Sequence, residues 1–202
     1  MRVLWALCLW GCAAARPVTP APVVAEKAPV VVEPVKTVEA ERPCATTHSE
    51  LDALPAKALA SIAPTDQVML RRGACFGRCP VYSVTLFGDG RVTAVGERNV
   101  AQQGAQSWSI EPELARRVLS EFVRVEVFAR KAELLGNISD LPTATLEVNI
   151  GKQRTVIDHR GAGVELQMQM GGKDNAVITK LEALVDQASE AQSRLVGCAS
   201  DR

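Results

Sequence analysis

Between residues 16 and 43 the chain carries six prolines, Pro17, Pro20, Pro22, Pro29, Pro34 and Pro43, among Ala, Val, Glu and Lys. Each proline fixes φ and removes a backbone donor, so neither a regular helix nor a central strand can run through the stretch. The expected state is extended polyproline II, a semi-rigid spacer that rises about 3 Å per residue. Its charges cancel, with Arg16, Lys27, Lys36 and Arg42 against Glu26, Glu33, Glu39 and Glu41. No basic-flanked Pro-x-x-Pro array marks it as a docking ligand, so it reads as a tether. A folded core is thereby confined to the chain beyond Pro43, roughly 155 residues. That is enough for one domain with a real hydrophobic core and no cofactor.

Ahead of the tether, Met1-Arg2 places one positive charge before an apolar run over residues 3–10. The run is far shorter than the roughly 20 residues a spanning helix needs, and it suits the apolar stretch of an export signal. It ends Leu9-Trp10-Gly11-Cys12, which resembles the bacterial lipobox, with Leu three residues before a Cys and a small residue just before it. The resemblance implies cleavage before Cys12 and lipidation of Cys12 on sulfur and amine. With Ala13 rather than Asp next in the chain, it also implies sorting to the outer membrane. The competing readings are a buried N-terminal strand and an ordinary secretory signal cut after Ala13-Ala14-Ala15. The expected organisation is a signal peptide over 1–11, a lipidated Cys and tether over 12–43, one domain over 44–198 and a tail over 199–202. The expected location is the cell envelope, with the domain facing the periplasm or the cell surface and the lipid as its contact with the membrane.

Composition narrows what such a domain does. Lys plus Arg and Asp plus Glu are 23 each, so no field of one sign favours nucleic acid or an anionic membrane surface. One Tyr, three Trp and four Phe supply a base- or sugar-stacking platform poorly, since two of the Trp lie in the first ten residues. His48 and His159 are the only histidines, which counts against a multi-histidine metal site and most acid–base machinery.

The periodicity of the remaining chain points to an α+β domain. Residues 49–62 carry Leu51, Leu54, Leu59 and Ile62 at loose helical spacing, interrupted by Pro55. Residues 67–72 form a short candidate strand. Tyr82, Val84 and Leu86 alternate with Ser83, Thr85 and Phe87; Gly88-Asp89-Gly90 then turns the chain into a return strand over 91–96. Leu114, Val118 and Phe122 define an amphipathic helix over 111–125, opened by Glu111-Pro112-Glu113. Ala144, Leu146, Val148 and Ile150 alternate cleanly, and Gly151-Lys152 leads into a second hairpin over 153–158. Residues 161–172 are ambiguous. Val177, Ile178, Leu181, Leu184, Val185 and Ala188 mark a C-terminal helix. The fold expected is an antiparallel sheet built from two hairpins with two main helices packed on one face.

With Cys8 in the signal and Cys12 in the lipobox, Cys44, Cys75, Cys79 and Cys198 remain. Four cysteines in an exported domain point to two disulfides, with three connectivities open. The pairing expected is Cys75–Cys79 with Cys44–Cys198, because the first pair is close in sequence and the second brackets the domain. In the chain-entropy model the long loop contributes roughly 5 kcal/mol and the short one about 2. The segment Gly73-Ala74-Cys75-Phe76-Gly77-Arg78-Cys79-Pro80-Val81-Tyr82, together with Gly88-Asp89-Gly90, resembles a bacterial family known as domain of unknown function 6438. Its hallmark is Cys-Phe-Gly-x-Cys-Pro-x-Tyr running into a strand and a Gly-Asp-Gly turn. The similarity extends through Gly96 and Asp140-Leu141-Pro142 and covers residues from about 67 to 190. It implies an exported, often lipid-anchored protein and no particular chemistry.

Sharper chemistry competes with this view at few places. Cys75-x-x-x-Cys79-Pro80 with the distant His159 resembles the thiol–thiol–imidazole set of copper chaperones of the Sco type, and thiolates suit Cu(I). Here Pro80 leads into a β-hairpin rather than a βαβ unit, so a structural disulfide is the expectation and copper or thiol-redox chemistry through Cys75, Cys79 and His159 the alternative. Asp89 reads as a turn residue, His159 as a surface histidine at a strand end, and Asp140 as a ligand of loop amides. Arg71-Arg72 and Arg116-Arg117 read as solvated, and Tyr82 and Phe76 as core or rim. No phosphate loop, paired-carboxylate spacing or nucleophile elbow is present, although catalytic residues need not be adjacent in sequence. The function expected is non-enzymatic: an envelope lipoprotein with a disulfide-stapled domain that binds a protein or cell-wall component, not nucleic acid. A scattered-residue enzyme would require a deep polar cleft.

Overall fold

Strands form where apolar and polar residues alternate, because successive side chains leave a pleated strand on opposite faces. The computed structural model describes residues 49–58, 60–132, 141–161 and 172–197. Cys12, Cys44, Asp140 and Cys198 lie outside them, so the lipidation site, the Cys44–Cys198 pairing and the role expected of Asp140 do too. Six strands make one antiparallel sheet: β1 (Gln67–Arg72), β2 (Val81–Phe87), β3 (Arg91–Arg98), β4 (Gly104–Ser109), β5 (Thr143–Ile150) and β6 (Gln153–Arg160). Their spatial order is β4-β3-β2-β1-β5-β6. The first strand is thus central, because the chain returns after a helical excursion and lays β5 against the free edge of β1. Leu70 faces Val84 on one side and Leu146 on the other.

The helices are α1 (Ser49–Asp52), α2 (Pro112–Arg124) and α3 (Gly172–Ser189), with a π-helical turn after them at Gln192–Val196. Pro112 opens α2, where a missing N–H costs nothing. Val68, Leu70, Val84, Leu86, Val92, Leu146 and Val148 on one face of the sheet are fully buried. With Val118, Leu119 and Phe122 of α2 and Ile178, Leu181 and Leu184 of α3 they make one apolar cluster. No helix among the described residues is long and apolar enough to cross a membrane.

Three features differ from expectation or were not anticipated. The sheet is broader than two hairpins. Its edge strand β4 has little apolar content, and is held by its register with β3 and by Trp108, whose indole N–H donates to the Ser189 carbonyl at 2.9 Å. Residues 49–58 and 60–62 hold a single helical turn and then an irregular strap. Beyond Pro55 the strap depends on α2: the Arg117 guanidinium donates to the Pro55 carbonyl at 2.6 Å and the Leu54 carbonyl at 3.1 Å, and Ser120 Oγ accepts from Ala60 N–H at 2.7 Å. Arg117 is therefore a strap-holding residue, not a solvated one. Asp66, just before β1, joins both hairpin turns. Its carbonyl accepts from Gly88 N–H and its carboxylate from Gly151 N–H, each at 2.8 Å. Asp89 accepts from Arg91 N–H at 3.0 Å within its turn.

Candidate functional site

Two polar constellations stand at one end of the sheet, on opposite faces. The first is buried. Arg72 ends β1 with its side chain toward α3, where Glu182 and Asp186 sit four residues apart on the buried stripe of the helix. The guanidinium reaches Glu182 Oε2 at 2.7 Å and Asp186 Oδ2 at 2.8 Å through Nη2 and 3.1 Å through Nε. Tyr82 of β2 donates to Asp186 Oδ1 at 2.8 Å, and Gln192 donates to Oδ2 at 3.2 Å. His159 of β6 places Nδ1 2.6 Å from Glu182 Oε1.

This cluster corrects two expectations. His159 is no surface histidine: it is 1% exposed, because it comes after Ile157 at the two-residue period that faces the core. Arg72 is not solvated; its side chain is 19% exposed and paired with two carboxylates. Burial, then the neighbouring Asp186 carboxylate, pushes the Tyr82 phenol well above its usual range, so it remains a donor. Burial alone would lower the Arg72 guanidinium, but Asp186 and then Glu182 outweigh it, and the group stays charged. Among the described residues His159 Nε2 has no hydrogen-bond partner. Neither of two grooves on the opposite face of the sheet is lined by His159 or by these carboxylates. The work visible for the cluster is mechanical: it joins α3 to β1, β2 and β6.

The signal for it was present in the sequence. Glu182 and Asp186 occupy helical positions beside Ile178, Leu181 and Val185, where acids without cations would be costly to bury. Two acids in an apolar stripe require a partner, and Arg72 and His159 stand at the same end of the sheet on strand positions that face the helix.

The second constellation is open to solvent. Cys75 and Cys79 are joined in a disulfide that closes the loop between β1 and β2. Gly77 inside it takes φ +131°, a conformation that L side chains rarely adopt. Asn99, itself at φ +55°, donates from its side chain to the Cys79 carbonyl at 3.0 Å and ties the loop to the end of β3. Phe76, at the loop tip, is 89% exposed, neither core nor rim.

Beneath the loop, β3 carries a bulge: Val81 pairs with Arg98 but Tyr82 with Gly96, leaving Glu97 as the extra residue. Bulges re-aim side chains. Here Glu97 and Arg98 both line a groove of about 610 Å³, with Arg71, Gly73, Thr143 and Thr145 as further walls. Gly73 lets the strands approach closely there, since a Cβ at this position would have to push the Thr143 side chain aside. Arg71 reaches Glu97 at 3.2 Å. A smaller groove of about 350 Å³ lies over Ser83, Thr85, Thr93, Val95 and Ser107 of the same face.

Of the alternative metal set, Cys75 and Cys79 are bonded to each other and His159 is engaged by Glu182. Among the described residues no group of three or more His, Cys, Asp or Glu is placed to hold a metal ion. Arg116 is paired with Glu113 at 2.9 Å within α2.

Fold and site together define a class: an α+β domain with a six-stranded antiparallel sheet and a disulfide-closed loop at one end. The chain belongs to the family described as domain of unknown function 6438, whose model matches residues 66–185. That span opens at Asp66, the residue that joins the two turns, and holds the disulfide loop, the groove and all but Asp186 and Gln192 of the buried cluster. No curated protein matches the chain.

Proposed function

We propose that this protein is an exported, lipid-anchored envelope protein, held in the outer membrane through Cys12. Its domain is a non-catalytic binding module for a protein or cell-wall component. In this reading α2 and α3 cover one face of the sheet, and the other, with its disulfide-closed loop, meets the partner. The observation that carries the reading is Phe76. Presenting a large aromatic side chain almost fully to water is unfavourable, and aromatic anchors held by rigid backbone are what protein interfaces use most effectively. The disulfide beneath it supports an oxidising compartment, where such bonds persist. The lipobox-like Leu9-Trp10-Gly11-Cys12 and the Pro-rich stretch beyond it are the support for anchoring.

The test is a photo-crosslinking amino acid placed at position 76 in living cells, against a control at Lys152 in the β5–β6 turn. A discrete crosslinked product at 76 and none at 152 is expected. Equal, diffuse labelling at both positions would remove the loop from the reading. In the same cells Cys12→Ala should release the protein from the membrane fraction; retention would remove the lipid anchor.

A further inference from the structure

The described arginines divide unequally. Arg71, Arg72, Arg91, Arg116, Arg124, Arg130, Arg154 and Arg194 each face a carboxylate. Arg117 is bonded to backbone carbonyls, and Arg160 has a partner as well. Arg78 and Arg98 are the two described arginines left without one. Both are exposed and both belong to the same end of the molecule, Arg78 inside the disulfide loop and Arg98 at the β3 bulge that lines the groove.

We propose that the groove beneath the Cys75–Cys79 loop receives an extended peptide in which acidic and apolar residues alternate. Arg98 takes its carboxylate, with Arg78 beside it, and Phe76 packs on the neighbouring apolar side chain. This deepens the binding-module reading and rests on it.

Three observations converge on that occupant. The groove's volume of about 610 Å³ lies in the range of sites that hold a short peptide or a small molecule. Its walls include Thr143 and Thr145, the close backbone at Gly73, the guanidinium-bearing Arg71 and Arg98, and Glu97; at the β6 side the Thr145 hydroxyl donates to the Asp158 carboxylate at 2.8 Å. The Arg71–Glu97 pair occupies one cation internally, which leaves Arg98 as the uncompensated positive charge. Glu97 standing inside the groove also disfavours a dense polyanion such as a phospholipid surface, and a chain of zero net charge offers such a surface no general attraction. A segment with spaced single carboxylates fits these charges. The exposed Phe76 supplies the apolar half of the recognition.

The mature protein in detergent micelles would be titrated into a labelled, end-blocked peptide of alternating Glu and Leu, its Gln–Leu counterpart, and phosphatidylglycerol-containing vesicles. The expected result is that the Glu–Leu peptide binds about tenfold more tightly than Gln–Leu, the effect of one partly exposed charge pair. Arg98→Glu should abolish that tenfold preference and Arg98→Lys retain part of it, while Arg154→Ala, on β6, leaves it unchanged. Phe76→Ala should weaken both peptides alike. Unaltered thermal melts would show that each variant is folded. Equal affinity for the two peptides, a preference that survives Arg98→Glu, or vesicle binding that depends on Arg98 more strongly than peptide binding would overturn the proposal. If position 76 crosslinks to a partner in cells while the two peptides bind alike, the acidic-peptide inference falls and the binding-module reading stands. Absence of a specific crosslink at 76 removes the loop from that reading, and this proposal falls with it.

Discussion

Arg71 and Arg72 are adjacent in sequence and differ in almost everything else. On a strand they point to opposite faces. Arg71 is 53% exposed and meets a single carboxylate, Glu97, across the open face. Arg72 is 19% exposed and holds two fully buried carboxylates of α3. The same side chain is thus an adjustable surface charge in one place and a structural cross-brace in the other. The difference is one of solvent: water screens and replaces the first pair, and nothing replaces the second. It also separates the two constellations by role. The buried one holds the domain together, and the open one keeps Phe76, Arg78 and Arg98 exposed to water.

The largest effect should come from removal of the buried cation. Arg72→Met leaves Glu182 and Asp186 buried without a counter-charge and is expected to cost about 3–5 kcal/mol in urea unfolding. Adding Glu182→Gln and Asp186→Asn to that variant should recover much of the loss, since the penalty lies in the uncompensated charges. A loss below about 1 kcal/mol would place Arg72 in the same class as Arg71 and erase the comparison.

Tyr82 gives an intermediate effect with a distinct pH signature. Tyr82→Phe leaves Asp186 Oδ1 without its donor and should cost about 1–3 kcal/mol. Because the folded phenol is held above its value of 10.0 in the unfolded chain, the folded state keeps its proton where the unfolded state loses it. Stability is therefore complete below that value and falls as pH rises above it. Tyr82 is the only tyrosine, so tyrosinate absorbance reports on it alone. The absorbance should appear together with global unfolding; its appearance near the unperturbed value in folded protein would show the hydroxyl to be solvated.

The smallest effect belongs to the open face. Arg71→Ala or Glu97→Ala should change stability by about 0–1 kcal/mol, and the change should shrink with added salt. A salt-independent loss as large as that of Arg72→Met would show that this face is also part of the brace.

Legibility in the sequence varies from element to element. Strands β2, β5 and β6 and both turns could be read directly, because alternation and Gly-rich turns are local. The helix expected over 111–125 lies at Pro112–Arg124, for its apolar stripe and its opening proline are local as well. The C-terminal helix was recognisable from Val177 onward but begins at Gly172. Strand β4 carried no such pattern. Gly104-Ala105-Gln106-Ser107-Trp108-Ser109 has one large apolar residue, and its strand conformation comes from pairing with β3. The strap after Pro55 likewise exists because Arg117 and Ser120 supply its hydrogen bonds from a helix 60 residues away.

Composition, alternation and glycine placement are properties of short stretches, so residues near one another in the chain sufficed to determine an α+β domain with a disulfide-closed loop. Which charges meet could not be had that way. Arg72 and Asp186 are 114 positions apart, and only the stacking of α3 on the β1, β2 and β6 positions brings their atoms within hydrogen-bond reach. Tertiary structure also decided which of two neighbouring arginines would see water, because strand pleat sets the alternation but the position of the helix decides which side is dry.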